Sequence, residues 1–118
     1  MNDASEFLLV LLHSATNTHL LHWTTKSYAE HQALGKFYQE MPELVDQLAE
    51  AMMGKFDETP EFPQMYHAPA ATGKEELEAL KDYVAQARQA LPQDSEIQNL
   101  TDEIAQLIDS TLFLLRFP

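Results

Sequence analysis

The 118-residue sequence contains no cysteine, only three glycines, and seven basic residues against nineteen acidic ones. Without cysteine the chain forms neither disulfides nor thiolate metal sites, and cysteine-dependent catalysis is excluded. The formal net charge of −12 repels nucleic-acid phosphates and anionic membrane surfaces, so we expect the protein to bind neither. The lack of cysteine also suits a reducing compartment, and we expect a cytoplasmic location.

Long hydrophobic runs are absent as well. The apolar run at residues 7–12 is too short to span a bilayer and follows no basic segment, so we expect neither a transmembrane helix nor a signal peptide. The sequence also lacks a Gly-rich phosphate loop and strand-like alternation. Apolar residues nevertheless make up 45% of the chain, which is enough for one small folded domain spanning 1–118.

The chain does contain the composition and periodicity of helices. Ala, Leu, Glu and Gln dominate, and apolar residues recur at spacings of three and four. We predict four helices, at about residues 3–26, 30–53, 73–91 and 95–116, with a long connection at 55–73.

Several residues predict where these helices end or bend. Pro42 should kink or break the second helix because proline removes one backbone hydrogen bond, and Gly54 is expected to end that helix. The third and fourth helices each begin with a capping-box pattern, Thr72 with Glu75 and Ser95 with Gln98.

The lengths of the connections indicate a topology. Short turns join the first helix to the second and the third to the fourth, so each pair should form an antiparallel hairpin. The connection between the hairpins is long enough to cross the length of a bundle. These features predict an all-α, ferritin-like four-helix bundle. A plain up-down bundle with an elaborate loop is the alternative.

Metal-binding residue types gather around the first predicted turn. His22 and His31 flank this turn, while Asp46 and Glu50 share one face of the second helix. Imidazole and carboxylate together suit iron, zinc or manganese. His31 and Asp46 are about 22 Å apart along a straight helix, so one chain cannot close a site with both.

Two arrangements would complete such a site. In the first, a twofold axis pairs the second helices of two copies, so that His31 of one copy faces Asp46 and Glu50 of the other. This arrangement requires at least a homodimer. In the second, the site lies inside one bundle, with His13 near Asp46 and a carboxylate of the fourth helix completing it.

The segment HLLHWTTKSYAEHQALGKFYQEMPELVDQLAEAMMG, residues 19–54, resembles the signature of the Dps-type mini-ferritins of the ferritin-like superfamily. His22 is followed by tryptophan near the end of the first helix, His31 begins the second, and Asp46 and Glu50 follow one long interval later. The resemblance implies that these four residues bind iron across a twofold subunit interface. It also implies Fe(II) oxidation and assembly into a hollow shell.

The same segment is similar to small helical proteins encoded by tailed phages, and it departs from the mini-ferritins at one ligand. Gly35 stands where mini-ferritins have an aspartate ligand, which puts ferroxidase activity in doubt. We expect His19, Trp23 and Tyr38 to support the ligands or to pack beside them, with Trp23 as a packing anchor at the end of the hairpin.

The sequence therefore leaves two functions open. One is a ferritin-like metal-binding protein, either an Fe(II) oxidase or a degenerate relative, with iron as the expected metal, zinc or manganese as alternatives, and no catalytic residue identified. The other is a non-catalytic, helical, oligomeric interaction protein, phage-encoded and acting on a host protein in the host cytoplasm.

Overall fold

The computed structural model describes residues 1–118, which form four α-helices and no strand. The prediction of an all-helical chain with four helices is confirmed. None of these helices is both long and apolar enough to cross a membrane. The helices are α1 (Asn2–Thr24), α2 (Tyr28–Phe56), α3 (Gly73–Ala87) and α4 (Ser95–Leu114), and one 3₁₀ turn (Arg88–Ala90) follows α3.

The four helices pack as two layers of two. α1 packs against α2 and α3, and α4 packs against the same two helices. Lys55 near the end of α2 pairs with Asp94 and Glu96 at the start of α4, with nitrogen–oxygen distances of 3.6 and 2.7 Å. Because α4 starts where α2 ends and packs along it, the last turn of α4 returns toward the α1–α2 turn.

The connection between α2 and α3, residues 57–72, runs along α1 rather than looping at one end. The backbone N–H of Glu61 donates to Ser5 Oγ at 3.2 Å, in the first turn of α1. Further along, the N–H of His67 donates to His13 Nδ1 at 3.3 Å, and the carbonyl of His67 accepts from Asn17 Nδ2 at 2.7 Å. We call this segment the crossover. Its contacts move from the first turn of α1 toward the end of that helix, as the length of the connection predicts.

The core lies between the four helices, and each helix contributes fully buried apolar side chains to it. Burying a side chain of this size stabilises the fold by about 1.5–3 kcal/mol. The apolar run at residues 7–12 is largely used within the chain, since Phe7, Leu8 and Leu11 are buried. The largest fully buried side chains include Phe7, Phe37, Leu34, Met41, Leu48, Met52, Leu77, Ile97, Ile104 and Ile108.

The predicted break at Pro42 and the predicted end of α2 at Gly54 are wrong. The helix runs without a break through Pro42, and it ends at Phe56, with Asp57 as its C-terminal cap. The buried side chains of Met41 and Val45 hold the helix to the core on either side of the proline, which offsets the lost hydrogen bond. Asp57 adopts the left-handed conformation, with φ 53°, which aspartate tolerates better than most residues.

One of the two predicted capping boxes contributes a cap, and the other does not form. Thr72 caps α3, because its Oγ1 accepts the N–H of Glu75 at 3.2 Å. For α4, the cap residue is Asp94 and Ser95 is already helical. The side-chain amide of Gln98 instead donates to carbonyl oxygens before the helix, at 3.3 and 3.0 Å, so it ties α4 to the preceding segment.

The bond between His13 and the crossover makes stability depend on pH. Burial, and secondarily the nearby His67, lowers the pKa of His13. Unfolding therefore favours proton uptake, so stability is fully present above the unfolded pKa of about 6.5 and is lost as pH falls toward the folded value. We expect His13→Asn, which keeps an acceptor but does not titrate, to lose less stability than wild type between pH 7 and 5.

Urea unfolding at several pH values measures this difference, which has an upper limit of about 1.4 kcal/mol per pH unit. Thr16→Asn, an exposed change in the same helix, should follow the wild-type pH dependence. Parallel curves for wild type and His13→Asn would show that His13 does not link stability to protons.

Candidate functional site

The turn between α1 and α2 brings His22 and His31 face to face. Only residues 25–27 separate the two helices. Ser27 caps α2, since its Oγ accepts the N–H of Glu30 at 3.2 Å. A link this short forces the last turn of α1 and the first turn of α2 into direct contact.

His22 and His31 exchange two hydrogen bonds across this turn. His22 Nδ1 lies 2.6 Å from the carbonyl oxygen of His31, and His31 Nδ1 lies 2.7 Å from the carbonyl oxygen of His22. Because a carbonyl only accepts, each ring must carry a proton on Nδ1 and donate it. The rings also stack, with centroids 3.7 Å apart and planes 15° from parallel. We call this pair the histidine clasp.

The clasp does not have the geometry of a metal chelate. The Nε2 lone pair of each ring makes no bond within the clasp. Each of these lone pairs lies in the plane of its own ring. Since the two planes are nearly parallel, the lone pairs of His22 and His31 do not converge on one ion. The two rings instead cross-link the backbone of the hairpin.

The other predicted ligands lie apart from the clasp. Asp46 and Glu50 are exposed on α2, about 22 Å or more along the helix from His31. His13 packs against Tyr66 and His67 of the crossover. No three His, Asp or Glu side chains of the chain are grouped so that they could hold a metal ion. The residues of one chain therefore do not fit an iron centre, and a site shared with a second copy stays a prediction.

Gly35 lies directly beneath the clasp. A Cβ atom built at this position would lie 3.1 Å from His22 Cε1 and 3.3 Å from its Nδ1, which is tighter than ordinary van der Waals contact. The position therefore excludes an aspartate ligand unless the His22 ring moves. The departure from the mini-ferritin pattern has a packing cause here.

The aromatic residues beside the clasp differ in how they pack. His19 stacks on Tyr38 with centroids 3.9 Å apart, and Tyr38 meets His22 edge-on at 5.3 Å. Trp23 contacts His19 at 4.7 Å but is 65% exposed. Trp23 thus packs on His19 at the surface of the bundle, and its role as an anchor of the hairpin stays a prediction.

Four of the seven exposed Phe, Tyr and Trp side chains lie toward the end of the molecule that carries the clasp. Trp23 and Tyr28 flank the α1–α2 turn, and α4 brings Phe113 and Phe117 back toward the same end. Tyr28 is 75% exposed, Phe113 51% and Phe117 53%. We call these four residues the aromatic end. Our sequence prediction missed Phe113 and Phe117, although both follow Thr111, the last buried residue of α4.

Three of the basic residues have no ion-pair partner. Four of the seven basic side chains, Lys55, Lys74, Lys81 and Arg88, form ion pairs with carboxylates. The other three are exposed and have no such partner. They are Lys26 in the α1–α2 turn, Lys36 in α2, and Arg116, which lies 5.6 Å from the ring of Phe113.

Substitution of Gly35 by alanine tests the packing under the clasp. Alanine normally stabilises a helix interior by about 1 kcal/mol relative to glycine. At position 35 the added methyl meets a ring held by a hydrogen bond and by stacking, so we expect a net loss of about 1–3 kcal/mol.

Gly54→Ala is the matched control, since it lies in the same helix with nothing within 4 Å of its added Cβ. It should gain about 0.5–1 kcal/mol. Urea unfolding measures both variants. An equal gain at both positions would show that the His22 ring yields easily.

Substitution of His31 tests the clasp itself. His31→Leu removes a hydrogen bond and a stacked ring, and we expect it to cost about 1–3 kcal/mol. His31→Asn keeps an amide donor close to the position of Nδ1 and should cost clearly less. In a double-mutant cycle with His22→Leu the two losses should be non-additive. Additive losses, or equal costs for Leu and Asn, would contradict the reciprocal bonds.

Comparison with known proteins identifies a family but no activity. No solved structure gives a significant match. A relative in Enterobacteria phage T4, the "Uncharacterized 14.6 kDa protein in mobD-ri intergenic region", is 29% identical over 116 residues, which cover 97% of this chain and 88% of the relative.

These comparisons support a small helical protein of phage type. They do not support the resemblance to the ferritin-like superfamily or the binding of iron. The model of a family of unknown function, DUF5856, matches residues 22–115, from the first histidine of the clasp to the end of α4. The chain therefore belongs to the DUF5856 family.

Proposed function

We propose that this protein is a non-catalytic interaction protein of phage origin that binds a host protein through its aromatic end. The phage relative motivates the host setting, and the proposed location is the host cytoplasm. The four-helix scaffold, with a lengthwise crossover like that of ferritin-like bundles, holds this surface rigid. The observation that carries the proposal is the coincidence of exposed aromatics and unpaired cations at one end.

The aromatic end has the composition of a binding hot spot. Trp, Tyr and Arg are the residues that most often dominate protein–protein binding energy. Each large aromatic can bury about 150–250 Å² on contact. Trp23, Tyr28, Phe113 and Phe117 together would thus supply a large share of the roughly 800 Å² per partner in an interface of standard size.

The unpaired cations indicate the charge of the partner. In a chain of net charge −12, Lys26, Lys36 and Arg116 are the basic groups without an ion-pair partner. An acidic surface with apolar pockets is complementary to them at contact. We therefore propose an acidic host protein as the partner.

A second copy of the chain fits this surface less well. A symmetric dimer through this end would bring the same three cations of each copy close together. A second copy of this chain, which the sequence also suggests as a partner, is therefore the competing occupant of the aromatic end in the test.

Site-specific photocrosslinking tests the proposal in host lysate. A benzophenone amino acid replaces Tyr28 or Phe113, and in the control it replaces Phe62, an aromatic of the crossover that is 52% exposed. We expect positions 28 and 113 to capture the same acidic host protein and position 62 not to capture it. Raising the salt concentration from 0.05 to 0.5 M should reduce the yield.

Binding to the purified captured protein then measures energetics. Trp23→Ser and Arg116→Ser should each weaken binding by roughly tenfold or more, whereas Phe62→Ser should have no effect. Capture at all three positions, or affinity indifferent to these substitutions, would contradict the proposal. A crosslinked product of two copies of this chain from positions 28 and 113 would assign the surface to self-association instead.

A further inference from the structure

A cavity of about 200 Å³ lies between α1, the crossover and α3, away from both the clasp and the aromatic end. It is much larger than the roughly 30 Å³ that one water molecule occupies. Its wall combines apolar side chains with a set of polar ones. The lining residues are Val10, Ser14, Asn17, His67, Glu76, Ala79, Leu80 and Tyr83.

Asn17 presents an unused acceptor in this cavity. The side chain is 1% exposed, and its Nδ2 donates to the carbonyl oxygen of His67 at 2.7 Å. That bond fixes the orientation of the amide, because a carbonyl cannot accept from Oδ1. Oδ1 is buried and has no hydrogen-bond partner. Leaving such a group unpaired is costly, so a donor that reaches Oδ1 would be bound favourably.

The neighbouring polar groups also present acceptors. The hydroxyl proton of Ser14 is committed to the carbonyl oxygen of Leu11 at 2.6 Å, so that its Oγ has only lone pairs left. Nε2 of His67 is buried without a partner, and it accepts when the ring proton lies on Nδ1. The carboxylate of Glu76 uses one oxygen to accept the N–H of Ala70 at 2.9 Å.

The charge around the cavity is negative. Glu76 is part of its wall, and no basic side chain lines it. Burial, followed by the charges of Glu6 and Asp3, raises the pKa of Tyr83 to about 12. The Tyr83 hydroxyl therefore stays neutral, and it is the one wall group besides His67 that can also donate.

We propose that this cavity binds a small cationic nitrogen group, either a primary ammonium or a guanidinium, through Asn17 Oδ1 and the carboxylate of Glu76. Such a group supplies both the N–H donors that the acceptors lack and a positive charge. Its source is either a free small amine or a Lys or Arg side chain of another protein. The site is independent of the aromatic end, with which it shares no residue.

Titration of the ¹⁵N-labelled full chain tests this site by NMR. Methylammonium and methylguanidinium are added at constant ionic strength. We expect saturable shifts of the Asn17 side-chain amide and of the Leu80 and Tyr83 backbone amides, with a dissociation constant on the order of 10 mM for so small a ligand. Tetramethylammonium has the same charge but no N–H donor and should not produce these shifts.

Two substitutions on α3 separate the site from general charge effects. Glu76→Gln keeps the acceptor for Ala70 but removes the charge, and it should weaken methylammonium binding at least about fivefold. Glu75→Gln, an exposed change one residue away, should leave binding unchanged. Asn17→Leu should abolish saturation, and the unperturbed shifts of the aromatic end would show that this variant still folds.

The source of the cation is resolved by capped tripeptides, Ala-Lys-Ala and Ala-Arg-Ala. Binding of a tripeptide more tightly than methylammonium or methylguanidinium assigns the cavity to a protein side chain, and weaker binding assigns it to a free amine. Unsaturable shifts with every cation, or equal shifts with tetramethylammonium, would overturn the proposal and leave the cavity to water.

Discussion

The reciprocal hydrogen bonds between His22 and His31 close the α1–α2 hairpin and determine whether its histidines can bind a metal. Each imidazole donates its Nδ1 proton to the backbone of the other helix, so the two residues act as paired staples across a three-residue link. Stacking then fixes the ring planes, and Gly35 leaves room for them. The same geometry that closes the hairpin turns the nitrogen lone pairs away from a common point. The two histidines that suggest metal binding in the sequence thus donate hydrogen bonds to the backbone in the structure.

The crossover, like the α1–α2 hairpin, is held in place by hydrogen bonds between side chains and the backbone. It lies on α1 and is held by His13 and by two side chains that the sequence shows no reason to single out, Ser5 and Asn17. Their bonds satisfy backbone groups of a segment that has no helix of its own. One consequence is that the crossover, α1 and α3 line a cavity whose wall includes several polar side chains. Another is that part of the stability depends on the protonation state of His13.

The helices could be predicted from the sequence because each depends on local periodicity and on local punctuation. Four helices and a long connection follow from apolar spacing and from the prolines of the connection. The sequence does not show that α2 continues through Pro42, because core packing of Met41 and Val45 outweighs the local helix-breaking tendency of proline. The histidine clasp could not be predicted, since spacing shows that two histidines are close but not which atoms their rings bond. A glycine within a helix, beside buried Leu34, was the one signal of close packing.

The distribution of charge links the fold to the proposed binding role. A chain with nineteen acidic groups offers most exposed cations a partner, and four of the seven basic residues have one. Lys26, Lys36 and Arg116 do not, and Lys26 and Arg116 lie next to aromatic residues that the core does not use. Leaving these three cations without ion pairs costs the fold little stability, because exposed ion pairs contribute little. It gains a patch where apolar contact and charge act on the same partner, and the rigid hairpin below it limits the entropy lost on binding.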